Sequence, residues 1–320
     1  MSTPASADSL AAALAANDPR PLLLDGGLGT HLAERGNDIT SSLWSAHILR
    51  ENPHEVRAAH QDFFAAGAQL ATTCSYQVSE DALAAAGLDA AQAPELLRRS
   101  VQLARAAAEF DAGTRQRWVA ASVGPYGAGP GHGTEYDGAY GLTQGELATW
   151  HRPRIASLDA AGADLLLAET VPSLPEVSAL LDELAGTKTP AALSLAVRRD
   201  ETGRGVVLGD GSTLSQVAQV IRERGNLLAV GVNCAPVSVV LEALDILRQE
   251  LDAPLLAYPN GAEIWDHQTR QWRPGGVEPD LPEAVETLLA RGVRLLGGCC
   301  RVSPEQISRT SETLIRLTRS

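Results

Sequence analysis

Eight short apolar runs, each separated from the next by a longer helical pattern, constrain this chain more than anything else in it. The runs are Leu22–Asp25, Gln69–Thr72, Val119–Val123, Asp164–Glu169, Ala192–Ala196, Leu228–Asn233, Leu255–Tyr258 and Val293–Leu296. They are nearly continuous in apolar residues, as parallel strands covered on both faces are. Amphipathic segments lie between them, among them Pro94–Phe110, Glu146–Ala161, Leu214–Arg224 and Pro282–Ala290. Three runs follow Gly67-Ala68, Gly162-Ala163 or Gly292-Val293, where a helix stops and a strand begins at once. Eight strand–helix units in 320 residues predict an α/β chain forming a single (β/α)8 TIM barrel over residues 1–320. Residues 1–20 are expected to form a loosely packed segment or a helix ahead of it. A doubly wound open sheet is the alternative, but Gly26-Gly27-Leu28-Gly29 lacks its Gly-x-Gly-x-x-Gly phosphate turn.

Chemistry in such a barrel gathers at the C-terminal ends of the strands. Polar residues and glycines concentrate at those ends here. The last run feeds Gly297-Gly298-Cys299-Cys300, and a helix starts just beyond, at Ser303-Pro304-Glu305. The sixth run ends at Asn233 and is followed by Cys234. Three thiolates from two strands of one barrel would converge on one ion. Thiolates are soft ligands that suit zinc, and three protein ligands leave one position for a substrate. The plainer alternative is three buried, inert thiols. Cys74, past the second run, fits a packing role better.

A zinc ion with three thiolates is a weak Lewis acid toward water. It suits a substrate thiol, which it deprotonates into a nucleophile. Asp25 and Glu169 end the first and fourth runs. Facing the barrel mouth, they would grip an ammonium group or form a general acid and base pair. The Gly26 and Gly27 amides would accept a carboxylate as a small nest. Together these groups describe an amino-acid substrate carrying a thiol.

Aromatic residues make up 4% of the chain, yet Trp44, Tyr76, Tyr126, Tyr136 and Tyr140 fall in or beside the predicted mouth loops. Aromatic faces attract onium groups, so a sulfonium donor fits, with ordinary loop packing as the alternative. The loops 124–141 and 259–280 are long, and the second carries Trp265 and Trp272. Loops of that length usually bind or cover something. His132 and His267 sit in these loops without metal-ligand spacing and read as surface residues.

The formal net charge of -13 argues against a nucleic-acid or anionic-membrane surface. The first 18 residues lack the basic start of a signal peptide, and no run of 18 apolar residues occurs. A cytoplasmic, reducing compartment is expected, where four cysteines remain thiols or metal ligands.

Taken together, Asp25-Gly26-Gly27-Leu28, Leu43-Trp44-Ser45, Ser75-Tyr76-Gln77, Ser122-Val123-Gly124-Pro125-Tyr126-Gly127, His151-Arg152-Pro153, Glu169-Thr170, Gly231-Val232-Asn233-Cys234, Tyr258-Pro259-Asn260 and Gly297-Gly298-Cys299-Cys300-Arg301 make the chain resemble the homocysteine S-methyltransferases. The likeness runs from Leu22 to about Ile307 and is nearest the S-methylmethionine-using type. It implies one zinc ion per chain held by Cys234, Cys299 and Cys300, with homocysteine joining through its sulfur. It implies that Asp25 and Glu169 hold the amino group, with Gly26, Gly27 and Thr72 near the polar end of the substrate. Trp44 and Tyr76 match positions near the donor in related betaine-using enzymes. The implied product is methionine, and the implied donor is S-methylmethionine or S-adenosylmethionine. The chain departs from close relatives in reading Thr73-Cys74 just before Ser75-Tyr76-Gln77. It also stops about twenty residues after Cys300, so a monomer or weak dimer is expected. Two other readings remain: a metal-dependent barrel lyase or hydrolase working through Asp25 and Glu169, and a non-catalytic zinc- or thiol-responsive binding protein.

Overall fold

The computed structural model describes residues 7–15, 20–39, 44–110, 116–129, 134–261, 263–266, 271–274 and 278–317. Strands β1 (Leu22–Leu23), β2 (Leu70–Thr72), β3 (Trp118–Val123), β4 (Leu165–Val171), β5 (Ala191–Arg199), β6 (Val206–Leu208), β7 (Leu227–Asn233), β8 (Leu255–Tyr258), β9 (Glu263–Asp266), β10 (Gln271–Pro274) and β11 (Val293–Leu296) alternate with twelve α-helices among the described residues. The helices are α1 (Ala7–Ala15), α2 (Leu28–Glu34), α3 (Trp44–Glu51), α4 (Pro53–Ala65), α5 (Glu80–Ala85), α6 (Ala93–Glu109), α7 (Gln144–Asp159), α8 (Leu174–Leu184), α9 (Leu214–Arg224), α10 (Val237–Glu250), α11 (Leu281–Leu289) and α12 (Pro304–Leu317).

Eight strands pair in parallel in the order β1-β11-β8-β7-β5-β4-β3-β2. A parallel bridge between Leu24 and Leu70 joins the two ends, with Asp25 N donating to Leu70 O at 3.0 Å. The sheet is therefore the expected (β/α)8 barrel, and all eight predicted runs are barrel strands. Two additions are not in the sequence reading. The strand β6 pairs antiparallel with β5, extending it beyond the barrel rim. A hairpin, β9 with β10, lies inside the long 259–280 connection and sets Trp272 opposite Trp265 in register.

The period of two along each strand divides the core. Val119, Ala121 and Val123 face the helix layer, whereas Trp118 and Ala120 face the barrel interior. Leu166 and Ala168 face outward, and Leu165 and Leu167 inward. The interior is apolar in its lower part. Continuing the same parity upward brings Ser122, Glu169, Ser194, Asn233 and Tyr258 to the inward face, all of them buried. A polar tier thus sits on an apolar one, just below the mouth.

The helix α1 closes the lower end. Leu10 and Leu14 are buried in the same cluster as Leu24, Leu70, Trp118, Leu165 and Leu295. Arg294, near the start of β11, donates to Leu14 O at 3.1 Å. Residues 7–15 are therefore a packed helix rather than a loose segment, because two leucines at i and i+4 share one helix face and meet an open apolar barrel end. Capping boxes begin α7 (Thr143 with Glu146), α9 (Thr213 with Gln216) and α11 (Asp280 with Glu283). No helix among the described residues is long and apolar enough to cross a membrane.

Candidate metal centre

Cys234 follows the last residue of β7, and Cys299 and Cys300 follow β11 at two residues' remove. The β8 strand lies between them in the sheet and ties them together. Cys234 N donates to Tyr258 O at 3.2 Å, and Cys299 N to Pro259 O at 2.7 Å. The three sulfurs lie within 4.8 Å of one another, with Cys234 and Cys300 at 3.8 Å. They are the one group of three or more such side chains among the described residues that could hold a metal ion. All three are half-buried, so the cluster opens to the mouth.

The turn that presents the thiols depends on close approach. A side chain on Gly297 would fall 2.5 Å from Leu24 Cβ, and one on Gly298 would collide with Val302. Neither glycine has positive φ, so the reason for them is space rather than backbone freedom. Positive φ appears instead at Thr170 (61°), Cys234 (54°) and Arg301 (66°), three non-glycine residues at the mouth. Backbone strain of this sort persists only where the surroundings over-determine it. Asn233 supplies that constraint for Thr170. Its Oδ1 accepts from Thr170 N (3.0 Å) and Ser194 Oγ (2.7 Å), and its Nδ2 donates to Thr170 Oγ1 (2.8 Å).

Within the cluster, Cys234 is drawn well below the usual thiol range by hydrogen bonds from the Cys299 and Cys300 thiols, and Tyr136 adds to the effect. The Tyr136 hydroxyl lies 3.2 Å from Cys234 Sγ, delivered by the long loop after β3. Hydrogen bonding to the Cys234 sulfur, with burial and its negative charge adding, pushes Cys299 and Cys300 upward.

Two buried carboxyls share the mouth. Glu169, on β4, accepts from Ser122 Oγ at Oε1 and from Tyr258 OH at Oε2, the latter at 3.0 Å. Burial nonetheless raises it to about 7. Asp25, just past β1, accepts from Thr72 N at 2.8 Å and is raised by burial to about 8. Each repels the other's charge weakly, since Glu169 contributes to the Asp25 shift. Two desolvated carboxyls close enough to interact form a pocket that a cation would stabilise.

The structure brings together Asp25, Thr72, Glu169, Tyr76 and the three cysteines, and alters the part played by some of the others. Thr72 holds Asp25. The Gly27 amide donates to Val302 O at 2.9 Å, so a two-amide nest at Gly26-Gly27 does not form. The glycines instead let this loop pack on the cysteine turn: a side chain on Gly27 would fall 2.7 Å from Cys299 O, and one on Gly26 would fall 2.8 Å from the Phe63 ring. Tyr76 is half-buried and in hydrogen-bond contact with Thr170. Tyr126 and Tyr140 pack on each other, and Tyr126 also packs on Trp150. Cys74 is buried, donates to Ser45 O at 3.3 Å and is pushed up to about 12, the behaviour of a packing thiol. Trp44 begins α3, but its side chain lies outside the described residues, as do those of Trp265 and Trp272 and the whole of His132 and His267.

Sequence reasoning placed Tyr136 only among the aromatics that suit an onium group, and assigned no role to Ser122, Asn233 or Tyr258. For those three, the parity of the strands carried the signal. Tyr136 reaches the thiols from a loop, where no periodicity exists to read.

Fold and site together define a (β/α)8 barrel with a three-thiol centre at its mouth, faced by two buried carboxyls. The family model for homocysteine S-methyltransferase matches residues 22–314. The chain is 40% identical over 295 residues to the homocysteine S-methyltransferase of Escherichia coli (strain K12), covering 90% of this chain and 93% of that protein. It is 37% identical over 299 residues to homocysteine S-methyltransferase YbgG of Bacillus subtilis (strain 168), covering 91% and 93%. The metallated form of the homocysteine methyltransferase MmuM from Escherichia coli superposes with a TM-score of 0.80 at 38% identity, covering 92% of this chain and 96% of that one. The chain belongs to the homocysteine S-methyltransferase family, a family of methyltransferase enzymes.

Proposed function

We propose that this protein moves a methyl group from a sulfonium donor to the sulfur of L-homocysteine, giving methionine, with one zinc ion held by Cys234, Cys299 and Cys300. The observation that carries this reading is the three-thiol cluster facing Asp25 and Glu169. A tetrahedral zinc ion with Zn–S bonds of about 2.3 Å requires sulfurs about 3.8 Å apart. The Cys234–Cys300 separation of 3.8 Å fits that edge. That the MmuM relative has a metallated form supports a metal-dependent reading. When bound, zinc supplies thiol activation: it lowers the pKa of a substrate thiol so that the sulfur stands as thiolate at neutral pH.

The chain's own groups then do the positioning. Asp25 and Glu169 take the ammonium of homocysteine, whose charge offsets the desolvation that raises both carboxyls. Ser122 and Tyr258 fix the Glu169 carboxylate in place. Tyr76 lines the donor side, and the resemblance to betaine-using enzymes assigns Trp44 to it as well. The homocysteine thiolate attacks the methyl carbon in line; the bond between that carbon and the donor sulfur breaks, and the donor leaves as a neutral thioether. No general base is needed at this step, because the thiol proton has already left. Holding the two reactants in register supplies several kcal/mol of the barrier.

The test is methyl transfer to homocysteine from S-methylmethionine and, in parallel, from S-adenosylmethionine. Cys299→Ala is expected to lose both zinc and nearly all methyl transfer while its circular dichroism stays that of a folded barrel. Full activity of that variant in chelator-treated buffer overturns the proposal.

A further inference from the structure

One cluster of polar and charged side chains lies fully or almost fully buried between the barrel and the outer helices. It comprises His151 and Arg154 on α7 and Glu176 on α8, with exposures of 0%, 3% and 0%. A buried charge is costly unless its hydrogen-bonding capacity is met. For the Arg154 guanidinium and for Glu176 Oε1, what meets it here is chiefly the backbone of two mouth loops.

Arg154 Nε donates to Val78 O at 2.9 Å, Nη1 to Gly124 O at 2.9 Å and Nη2 to Tyr76 O at 3.0 Å. Its guanidinium stacks 4.5 Å from the Trp150 ring centroid. One planar fork therefore holds the loop after β2 at two points and the loop after β3 at a third. Glu176 Oε1 accepts from Tyr126 N at 2.6 Å and from His151 Nε2 at 2.9 Å, fixing the β3 loop two residues further on. The two loops touch without slack. A side chain on Gly124 would fall 2.8 Å from Tyr76 Cδ2 and would collide with Tyr76 O. At its far end the Tyr76 side chain contacts Thr170, next to Glu169.

The geometry points to Arg154 as a positioning residue for the methyl donor: it sets the height and tilt of Tyr76 at the mouth, and through that ring the affinity for a sulfonium group. The inference rests on the reading that Tyr76 lines the donor side. Attraction between an aromatic face and an onium group depends on ring placement, so a ring that tips or sinks loses it. Lysine cannot replace this arrangement, since an ammonium on a flexible stem lacks the planar fork that reaches three carbonyls at once. Arg154 is bonded to neither Asp25, Glu169 nor the cysteines, so homocysteine and metal binding stand apart from it.

The test uses full-length, zinc-loaded protein, with KM measured separately for S-methylmethionine and for homocysteine alongside zinc content and melting temperature. Arg154→Lys is expected to raise the donor KM about tenfold, the scale of a sub-ångström misplacement, with homocysteine KM and zinc content unchanged. Tyr76→Ala should raise the donor KM as well, and adding Arg154→Lys to it should cost less than Arg154→Lys does alone. Gly124→Ala displaces Tyr76 from the opposite side with Arg154 intact. It is expected to give the same donor-specific effect, and it decides the matter if the arginine variant does not fold. An Arg154→Lys protein that raises both KM values alike, or that only melts earlier, overturns the inference, as does full additivity with Tyr76→Ala. If Tyr76→Ala alone leaves the donor KM unchanged, the donor-side reading fails and this inference falls with it. If Tyr76→Ala is impaired while Arg154→Lys and Gly124→Ala bind donor normally, only the role of Arg154 is overturned.

Discussion

Glu169 lies between opposing influences. Burial raises its carboxyl, while the hydroxyls of Ser122 and Tyr258 pull it back down. The net position, about 7, leaves a group ready to ionise fully once a cation arrives. Glu169→Gln keeps the shape and removes the charge. Losing one partner of a buried charged pair costs about 2 kcal/mol or more, which corresponds to a homocysteine KM raised about thirtyfold. Steady-state kinetics at saturating donor checks this, and zinc content should be unchanged. An unaltered homocysteine KM would sink the assigned role. Glu169 is legible in the sequence as a carboxylate closing an apolar run. Its two hydroxyl partners are not, because each looks like one more residue inside a strand. Only the period of two, followed upward from Ala120 and Leu256, turns Ser122 and Tyr258 toward Glu169.

At the scale of elements, the strands announce themselves by apolar continuity, and the thiols by their places after β7 and β11. The β9–β10 hairpin is not legible, because Glu263–Asp266 and Gln271–Pro274 are too mixed in polarity to read as strands. The helix α1 is legible only in part. Its alanine-rich sequence allows a helix, but the burial of Leu10 depends on a barrel end that distant residues assemble. Leu10 is fully buried in that end. Leu10→Ala should therefore destabilise the protein by about 2–5 kcal/mol, as core leucine truncations do. Urea titration measures the loss, while metal content and both KM values should stay as they are. A variant of unchanged stability would show that α1 is not part of the core.

For the molecule as a whole, one buried histidine sets a limit on acid tolerance. His60 on α4 is fully buried, and burial pushes it down to about 4 from 6.5. Above pH 6.5 it is neutral in both folded and unfolded chains. Between 6.5 and 4 the unfolded chain takes up a proton that the folded one refuses, so stability falls as pH falls. The full effect is about 3 kcal/mol. Denaturant titrations from pH 7 to pH 4 should show a shallower loss in His60→Leu than in the parent, and parallel curves would refute it. Comparing the two proteins cancels the opposite trend from Asp25 and Glu169, whose raised carboxyls favour the folded state as pH falls. The seating of α1 has a kinetic corollary. With Leu10 and Leu14 filling the lower end of the barrel, no passage opens at that end among the described residues, and traffic uses the mouth. The ligand that settles deepest is then expected to arrive first and depart last, so product-inhibition patterns should show the order of entry mirrored in the order of exit.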